Sequence, residues 1–212
     1  MRVFLFANRF FVEKVIKVYI YRGPEEVTVE ELDERLGLVS AERREKSLRY
    51  KFMIDRVLSV EAYLLLKQGL LEVYGIDELP QFGYVEHDKP VLLNHPEIHF
   101  NMSHCRRGVI CAIGDEPVGA DVEEIEPKLN MDLCRYCFSD EEIADITSAE
   151  NPCMQFTRWW TMKEAYLKLT GQGLTANLPS LFTPGIMAAH TFETHELPDE
   201  GFVYTICTKK KV

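Results

Sequence analysis

The sequence lacks the long apolar runs that mark exported and membrane proteins. None of its stretches approaches the roughly 20 apolar residues that a membrane-spanning helix needs. The opening MRVFLFANRF has an apolar run of only about five residues before Asn8, shorter than the roughly 7–15 residues of a secretory signal. We therefore expect a cytoplasmic protein with no membrane partner.

The sequence also lacks the residue spacings of common metal centres. Its six cysteines include one CxxC pair, Cys134 and Cys137, but no second pair at zinc spacing. Its six histidines form no HExxH motif. We expect free thiols, with the CxxC pair packed as small hydrophobes in a half-buried helix. A metal or redox site at this pair is the alternative.

No large basic patch dominates the chain, which argues against nucleic-acid binding. The formal net charge of −10 is localised, since residues 115–150 carry twelve acidic and two basic side chains. Within the neutral remainder, residues 41–56 form a short basic segment. The acidic segment could hold a hard cation and the basic one could meet phosphate or an acidic partner. The simpler alternative for each segment is a solvated helix face.

One stretch, WWTMKEAYLKLTGQGL at residues 159–174, places charges inside an apolar helical pattern. Its spacing predicts a helix that ends at Gly171. Glu164 and Lys168 lie four residues apart, in line with Trp160. The neighbouring apolar stripe consists of Trp159, Met162, Tyr166 and Leu169. The pattern fits either a buried helix with a solvated Glu164–Lys168 pair or a helix that carries a functional site.

A second stretch places two carboxylates together. Residues 109–113 and 118–123 are predicted to form a hairpin around the turn at 114–117. In the second strand Asp121 and Glu123 share one face, because side chains alternate along a strand. Like charges side by side repel each other, and a divalent cation between them would relieve this. A solvent-facing acidic strand is the alternative.

The remaining elements are predicted from apolar periodicity and turn residues. Ser40 and Ser139 are predicted N-caps, the first for a basic helix. Predicted helices cover residues 29–36, 52–73, 129–138 and 140–147. Predicted strands cover residues 15–21, 82–86, 98–102, 181–183, 190–197 and 202–208, with the polar segment NMSH at the end of the strand over 98–102.

Four segments together resemble the 4′-phosphopantetheinyl transferases of the type that activates surfactin synthetase. They are HDKPVLLNHPEIHFNMSH at residues 87–104, GADVE at residues 119–123, Phe138-Ser139 with Glu142, and the stretch at residues 159–174. The resemblance implies an enzyme that moves the 4′-phosphopantetheine arm of coenzyme A onto a serine of an acyl or peptidyl carrier protein. It also implies a requirement for Mg²⁺, release of 3′,5′-ADP and a role in lipid or secondary metabolite biosynthesis.

The resemblance also implies roles for particular residues. The metal-binding carboxylates would be Asp121, Glu123 and Glu164. The base for the carrier serine would be Glu164 or a metal-bound water held by Glu123. Lys168 would reach the phosphates of coenzyme A. The nucleotide end of coenzyme A would be held by Lys89, Ser103 and His104.

The chain departs from the family at the central helix. The family often has an arginine for the 3′-phosphate three residues after an aspartate. Here Asp55 is followed at that offset by Leu58, and the nearest arginine is Arg56. We take Arg56 as the candidate coenzyme A ligand, although it lies roughly 200° around the helix from the family position. The alternatives are Arg43, Arg44 and Lys51.

The family's fold implies an α/β (α+β) protein with two similar halves. Each half would be a small antiparallel sheet with helices, and the active site would lie in the cleft between them. Residues 1–104 would form the half that contacts coenzyme A, and residues 105–212 the half that carries the metal-binding carboxylates. A monomer is expected, because both halves are in one chain. Two other functions are considered: a divalent-metal phosphohydrolase of a small nucleotide pyrophosphate, and a non-catalytic binding module.

Overall fold

The computed structural model describes residues 16–23, 27–173 and 177–211 and confirms the α/β class with small antiparallel sheets. The strands are β1 (Ile16–Arg22), β2 (Phe82–Tyr84), β3 (Pro90–Leu92), β4 (His99–Cys105), β5 (Gly108–Gly114), β6 (Val118–Glu124), β7 (His190–Leu197) and β8 (Phe202–Lys209). The helices are α1 (Val29–Leu36), α2 (Ala41–Leu48), α3 (Met53–Tyr74), α4 (Met131–Cys137), α5 (Asp140–Ser148), α6 (Pro152–Thr170) and α7 (Pro184–Ala189).

Two three-stranded antiparallel sheets organise the chain, in the orders β1-β5-β4 and β6-β8-β7. The predicted hairpin of β5 with β6 is therefore wrong. Every residue of β5 is buried, and this strand pairs on both sides, with β1 and with β4. The chain then changes sheets in the turn over residues 115–117, and β6 pairs with β8. The boundary expected at residue 104 stays a prediction, but the first sheet takes its central strand from beyond it.

Strand β5 lies between two layers of the fold, and its side chains alternate between them. One face of β5 packs against α3 through Val109, Cys111 and Ile113. The other face packs through Ile110 and Ala112 against the second sheet. Helix α6 covers the far side of the second sheet. The layers therefore follow the order α3, first sheet, second sheet, α6.

Most predicted helix ends are confirmed. Ser40 and Ser139 accept hydrogen bonds from amide groups of the first turns of α2 and α5. Gly171 ends α6 with φ of 73°, a left-handed conformation that glycine adopts without a Cβ clash.

Two predictions of local structure are wrong. Residues 181–183 are not a strand, because Thr183 instead caps α7 by accepting a hydrogen bond from the amide of Ile186. The segment NMSH does not follow a strand but lies inside β4. The predicted first strand is confirmed from Ile16 onward, and Val15 and the opening segment lie outside the described residues.

The CxxC pair packs in the core, as predicted. Cys134 and Cys137 are free thiols buried against α6. In the part of the chain that the structure describes, no helix combines the length and the apolar character that crossing a membrane requires.

The layered core gives a stability prediction for α3. Leu66 is fully buried, whereas Leu71 on the same helix is 48% exposed. Leu66→Ala should lower the free energy of unfolding by about 2–5 kcal/mol, because it removes buried apolar surface and leaves a cavity. Leu71→Ala is the matched control and should cost less than about 1 kcal/mol. Urea denaturation measures both, and equal losses would contradict this assignment of the core.

Candidate active site

Helix α6 lies directly against strand β6, and Gly119 allows this close approach. A Cβ atom at Gly119 would lie 1.9 Å from the carbonyl oxygen of Ala165 and 2.6 Å from the amide nitrogen of Leu169. These distances are well below van der Waals contact, so only glycine fits between this strand and this helix. The contact brings the charged residues of α6 beside the carboxylates of β6.

Asp121 lies at the centre of the site and is only 1% exposed, so the alternative of a solvent-facing acidic strand is wrong. Its Oδ1 atom accepts hydrogen bonds from Lys168 Nζ at 2.5 Å and from Ser103 Oγ at 2.9 Å. Lys168 Nζ also donates to Ser103 Oγ at 2.8 Å. Among the described residues, Lys168 therefore pairs with Asp121 and not with Glu164, which excludes the solvated pair along the helix.

Glu123 and Glu164 are half-buried and close enough to Asp121 for their charges to interact. Burial, followed by the Asp121 charge, raises the pKa of Glu123 to about 7. The same two causes raise the pKa of Glu164. Trp160 Nε1 donates to Glu123 Oε1 at 3.2 Å and so links this carboxylate to α6. The structure thus brings together three carboxylates that the sequence had placed on two separate elements.

These carboxylates fit a divalent cation in charge and in donor type. As they stand, no group of three or more His, Cys, Asp or Glu side chains within residues 16–23, 27–173 and 177–211 is arranged to hold a metal ion. Asp121 Oδ2, however, is buried and has no hydrogen-bond partner in that part of the chain. A buried carboxylate oxygen without a partner is costly, and a cation would satisfy it. Carboxylate oxygens are also the donors that Mg²⁺ prefers.

A pocket of about 360 Å³ opens beside the carboxylates. Its walls come from residues 87–90, from β4 through Asn101 and Met102, and from α6 through Glu164 and Lys168. Elements from before and after residue 104 therefore share this cavity. Its position next to Lys168 makes it a suitable place for a ligand that carries phosphate.

Lys89, on the pocket wall, contacts the end of α6. Its Nζ atom donates to the carbonyl oxygens of Lys168 at 2.7 Å and Leu169 at 3.0 Å. A cation stabilises these carbonyls, because the C-terminal end of a helix carries partial negative charge. Lys89 therefore ties the two parts of the chain together here, and its predicted contact with the nucleotide stays a prediction.

His104 lies where the basic segment and the carboxylate cluster approach each other. Burial within the cleft lowers the pKa of His104, and the Lys168 cation lowers it further, although part of the ring remains exposed. The charges that act on His104 also include Arg43 and Asp55. His104 and Lys168 are thus close enough for their charges to interact, and their predicted contacts with coenzyme A stay predictions.

The candidate arginines differ in their surroundings. Arg56 Nε donates to the carbonyl oxygen of Tyr50 at 2.8 Å, between α2 and α3. Arg43 is buried, with its guanidinium 5.1 and 5.5 Å from the centres of two aromatic rings. Arg44 is exposed. Arg43 is therefore the basic residue of α2 that points inward, towards the region of His104.

Lys163 is a further residue of α6 whose importance the sequence pattern does not indicate. This lysine is fully buried and donates hydrogen bonds to three oxygen atoms of α4, α5 and the turn that begins at Leu178. The signal available in the sequence was Glu142, the capping-box residue of α5, whose carboxylate accepts one of these bonds. Nothing in the local pattern of α6 indicates that a charged residue is buried there.

The site has the parts of a phosphoryl-transfer enzyme: clustered carboxylates, a lysine and a pocket built from two parts of the chain. A sequence model described as the 4′-phosphopantetheinyl transferase superfamily matches residues 117–207, which run from the turn before β6 into β8. This match covers all of the carboxylate cluster together with Lys168.

Comparison with curated proteins extends the similarity over most of the chain. A 4′-phosphopantetheinyl transferase from Bacillus subtilis is 33% identical over 171 residues, which is 79% of this chain and 74% of the relative. The 4′-phosphopantetheinyl transferase psf-1 of Bacillus pumilus is 32% identical over 85% of this chain and 83% of the relative. The L-aminoadipate-semialdehyde dehydrogenase-phosphopantetheinyl transferase of Saccharomyces cerevisiae is 28% identical over 89% of this chain and 77% of the relative. The chain belongs to the 4′-phosphopantetheinyl transferase family of enzymes.

The close contact of α6 with β6 gives a prediction for Gly119. Gly119→Ala should lower the free energy of unfolding by about 3 kcal/mol, because the added methyl group would overlap the backbone of α6. Gly185→Ala is the control, since the nearest atom to a Cβ there is 3.8 Å away. The control should be neutral or slightly stabilising, because alanine favours helix. If urea denaturation shows that Gly119→Ala is as stable as the control, the tight strand–helix contact is contradicted.

Proposed function

We propose that this transferase moves the 4′-phosphopantetheine arm of coenzyme A onto a serine of an acyl or peptidyl carrier protein, depends on Mg²⁺ and releases 3′,5′-ADP. The observation that carries the proposal is the meeting of Asp121, Glu123, Glu164 and Lys168 beside a pocket large enough for part of a nucleotide. The relatives are named 4′-phosphopantetheinyl transferases, which supports 4′-phosphopantetheine as the transferred group. One chain supplies both walls of the pocket, so we propose that a monomer is sufficient.

The reaction breaks one phosphorus–oxygen bond and forms another. The serine oxygen of the carrier protein attacks the phosphorus that bears pantetheine, and the bond from this phosphorus to the bridging oxygen breaks. The departing 3′,5′-ADP keeps the bonding electrons, and the serine proton passes to a base. We assign the base role to Glu164, because its carboxylate lies on the pocket wall one helical turn from Lys168, where the diphosphate would bind.

Lys168 would stabilise the leaving group. Its ammonium group now lies against Asp121 Oδ1 and Ser103 Oγ, at the pocket wall. From there it can donate to phosphate oxygens as negative charge builds up on them. Ser103 would keep the lysine at this position, because it contacts both Lys168 and Asp121.

The residues that would hold Mg²⁺ are Asp121, Glu123 and Glu164. When bound, Mg²⁺ neutralises charge on the diphosphate oxygens. Asp121 Oδ2 is available for this purpose, because it has no hydrogen-bond partner in the described part of the chain. The raised pKa values of Glu123 and Glu164 support this assignment, because crowded, buried carboxylates favour added positive charge.

The nucleotide end of coenzyme A would lie towards the first sheet. Lys89 and His104 border the region where its 3′-phosphate and adenine would bind. We place Arg43 there as the arginine for the 3′-phosphate, because it points inward. Arg56, in contrast, already donates to a backbone carbonyl.

The metal role of Asp121 can be tested by transfer of a fluorescent coenzyme A arm to an apo carrier protein. Asp121→Asn should lower kcat/KM at least about 100-fold, because it removes the central negative charge but keeps the shape of the side chain. Asp140→Asn is the control, because this acid is exposed in the first turn of α5. The control should retain activity. Intact Mg²⁺-dependent transfer by Asp121→Asn would contradict the proposal, and release of phosphate products without any acceptor would favour a phosphohydrolase.

The role of Arg43 can be tested by comparing coenzyme A with dephospho-coenzyme A, which lacks the 3′-phosphate. Arg43→Met should raise KM for coenzyme A about tenfold or more, because a charge-assisted hydrogen bond to phosphate is lost. KM for dephospho-coenzyme A should hardly change. Arg44→Met on the exposed side of α2 is the control and should leave both values unchanged. An equal rise in KM for the two substrates would exclude Arg43 as the 3′-phosphate ligand.

A further inference from the structure

Lys163 is a fully buried lysine on the helix that carries the active-site charges. Its Nζ atom donates to the carbonyl oxygen of Cys137 at 3.0 Å, to Glu142 Oε2 at 2.7 Å and to the carbonyl oxygen of Leu178 at 2.6 Å. An ammonium group has three hydrogen atoms to donate, so all of them are used. The rings of Phe138 and Phe182 lie 5.0 and 5.6 Å from the same nitrogen.

These three bonds join α6 to segments before and after it in the chain, at sequence separations of 26, 21 and 15 residues from Lys163. Cys137 is the last residue of α4, and Glu142 lies in the first turn of α5. Leu178 begins the turn that follows α6. Glu142 Oε2 also accepts the amide hydrogen of Ser139, so the carboxylate that binds Lys163 is itself fixed by a backbone group.

Burial of a charged pair is not needed to stabilise this core. When the chain folds, the two charged groups lose their hydration, and this penalty offsets much of their attraction. Replacing both charges by apolar groups would therefore lower the free energy of unfolding less than the number of contacts suggests. The stretch around Lys163 is already well packed, since Met162, Ala165, Tyr166 and Leu167 are all buried. The directional bonds of Lys163 instead restrict how α6 can rotate and shift, which apolar packing alone specifies less strictly.

We propose that Lys163 is a positioning residue, which fixes the rotation of α6 so that Glu164 and Lys168 face Asp121. Glu164 is the next residue along the helix, about 100° further around it, so its direction follows from that of Lys163. Lys168 lies on the same cleft-facing side as Glu164, one turn further on. Within the described part of the chain, Lys163 neither lines the pocket nor hydrogen-bonds to the carboxylate cluster, so it acts through the helix. This inference rests on the proposed transfer reaction.

The test uses the full chain, Mg²⁺ titration calorimetry and steady-state transfer to an apo carrier protein. Lys163→Met keeps most of the side-chain length but removes the three donors. It should weaken Mg²⁺ binding and lower kcat, each by about 10–100-fold, the range found for residues that orient metal ligands. KM for coenzyme A should change less than kcat, because the residues proposed to hold its nucleotide end, Lys89, His104 and Arg43, lie outside α6.

A second variant separates positioning from loss of fold. Lys163→Met combined with Glu142→Gln leaves no unpaired buried charge, and the amide oxygen of glutamine can still accept the bond from Ser139. This double variant should recover thermal stability relative to Lys163→Met and still show the weakened Mg²⁺ binding and the lowered kcat. Recovery of all three properties together would show that Lys163 is merely structural and would overturn the proposal.

The matched control is Thr157→Val on the same helix. Thr157 is buried two turns from Glu164, and its hydroxyl donates to the carbonyl oxygen of Cys153 on the same helix. The control should leave Mg²⁺ binding and kcat unchanged. Wild-type protein that neither binds Mg²⁺ nor transfers the arm would contradict the proposed function and this inference together. An active wild type with an equally active Lys163→Met variant would contradict only the inference.

Discussion

The whole site depends on the direct packing of α6 against β6 at Gly119. With no Cβ between them, the helix backbone approaches the strand closely enough for Lys168 to bind Asp121. A larger residue at this position would separate the carboxylates of the strand from the glutamate of the helix. The cluster is thus produced by backbone contact between two elements that are separated by roughly 30–50 residues of sequence.

The electrostatics of the cluster follow from this contact. Burial, followed by repulsion from the Asp121 charge, raises the pKa values of Glu123 and Glu164, while the ammonium group of Lys168 forms its ion pair with Asp121. Such a site favours a cation and is costly without one. Stability is supplied elsewhere, by the packing of α3 on the first sheet, of the two sheets on each other, and of α6 on the second sheet. A stable scaffold that holds a site of crowded carboxylates is what an enzyme of the 4′-phosphopantetheinyl transferase family requires.

Much of the local structure could be predicted from the sequence, because it depends on neighbouring residues. The caps at Ser40 and Ser139 and the end of α6 at Gly171 are examples. The pairing of β5 could not be predicted, since an apolar strand beside a turn resembles one strand of a hairpin, and only its pairing with both β1 and β4 shows that it is central. The burial of Lys163 depends on α4, α5 and the turn at Leu178, none of which is adjacent to it in the sequence. Contacts between distant segments leave no local pattern.

The most direct test of the central claim is a crystal structure with coenzyme A and Mn²⁺, which can be located by anomalous scattering. We expect a metal peak within about 2.0–2.4 Å of oxygen atoms from Asp121, Glu123 and Glu164. We also expect Lys168 Nζ to leave Asp121 Oδ1 and to bind a phosphate oxygen of coenzyme A. A metal peak away from these carboxylates, or a Lys168 that still pairs with Asp121 while the diphosphate binds elsewhere, would contradict it.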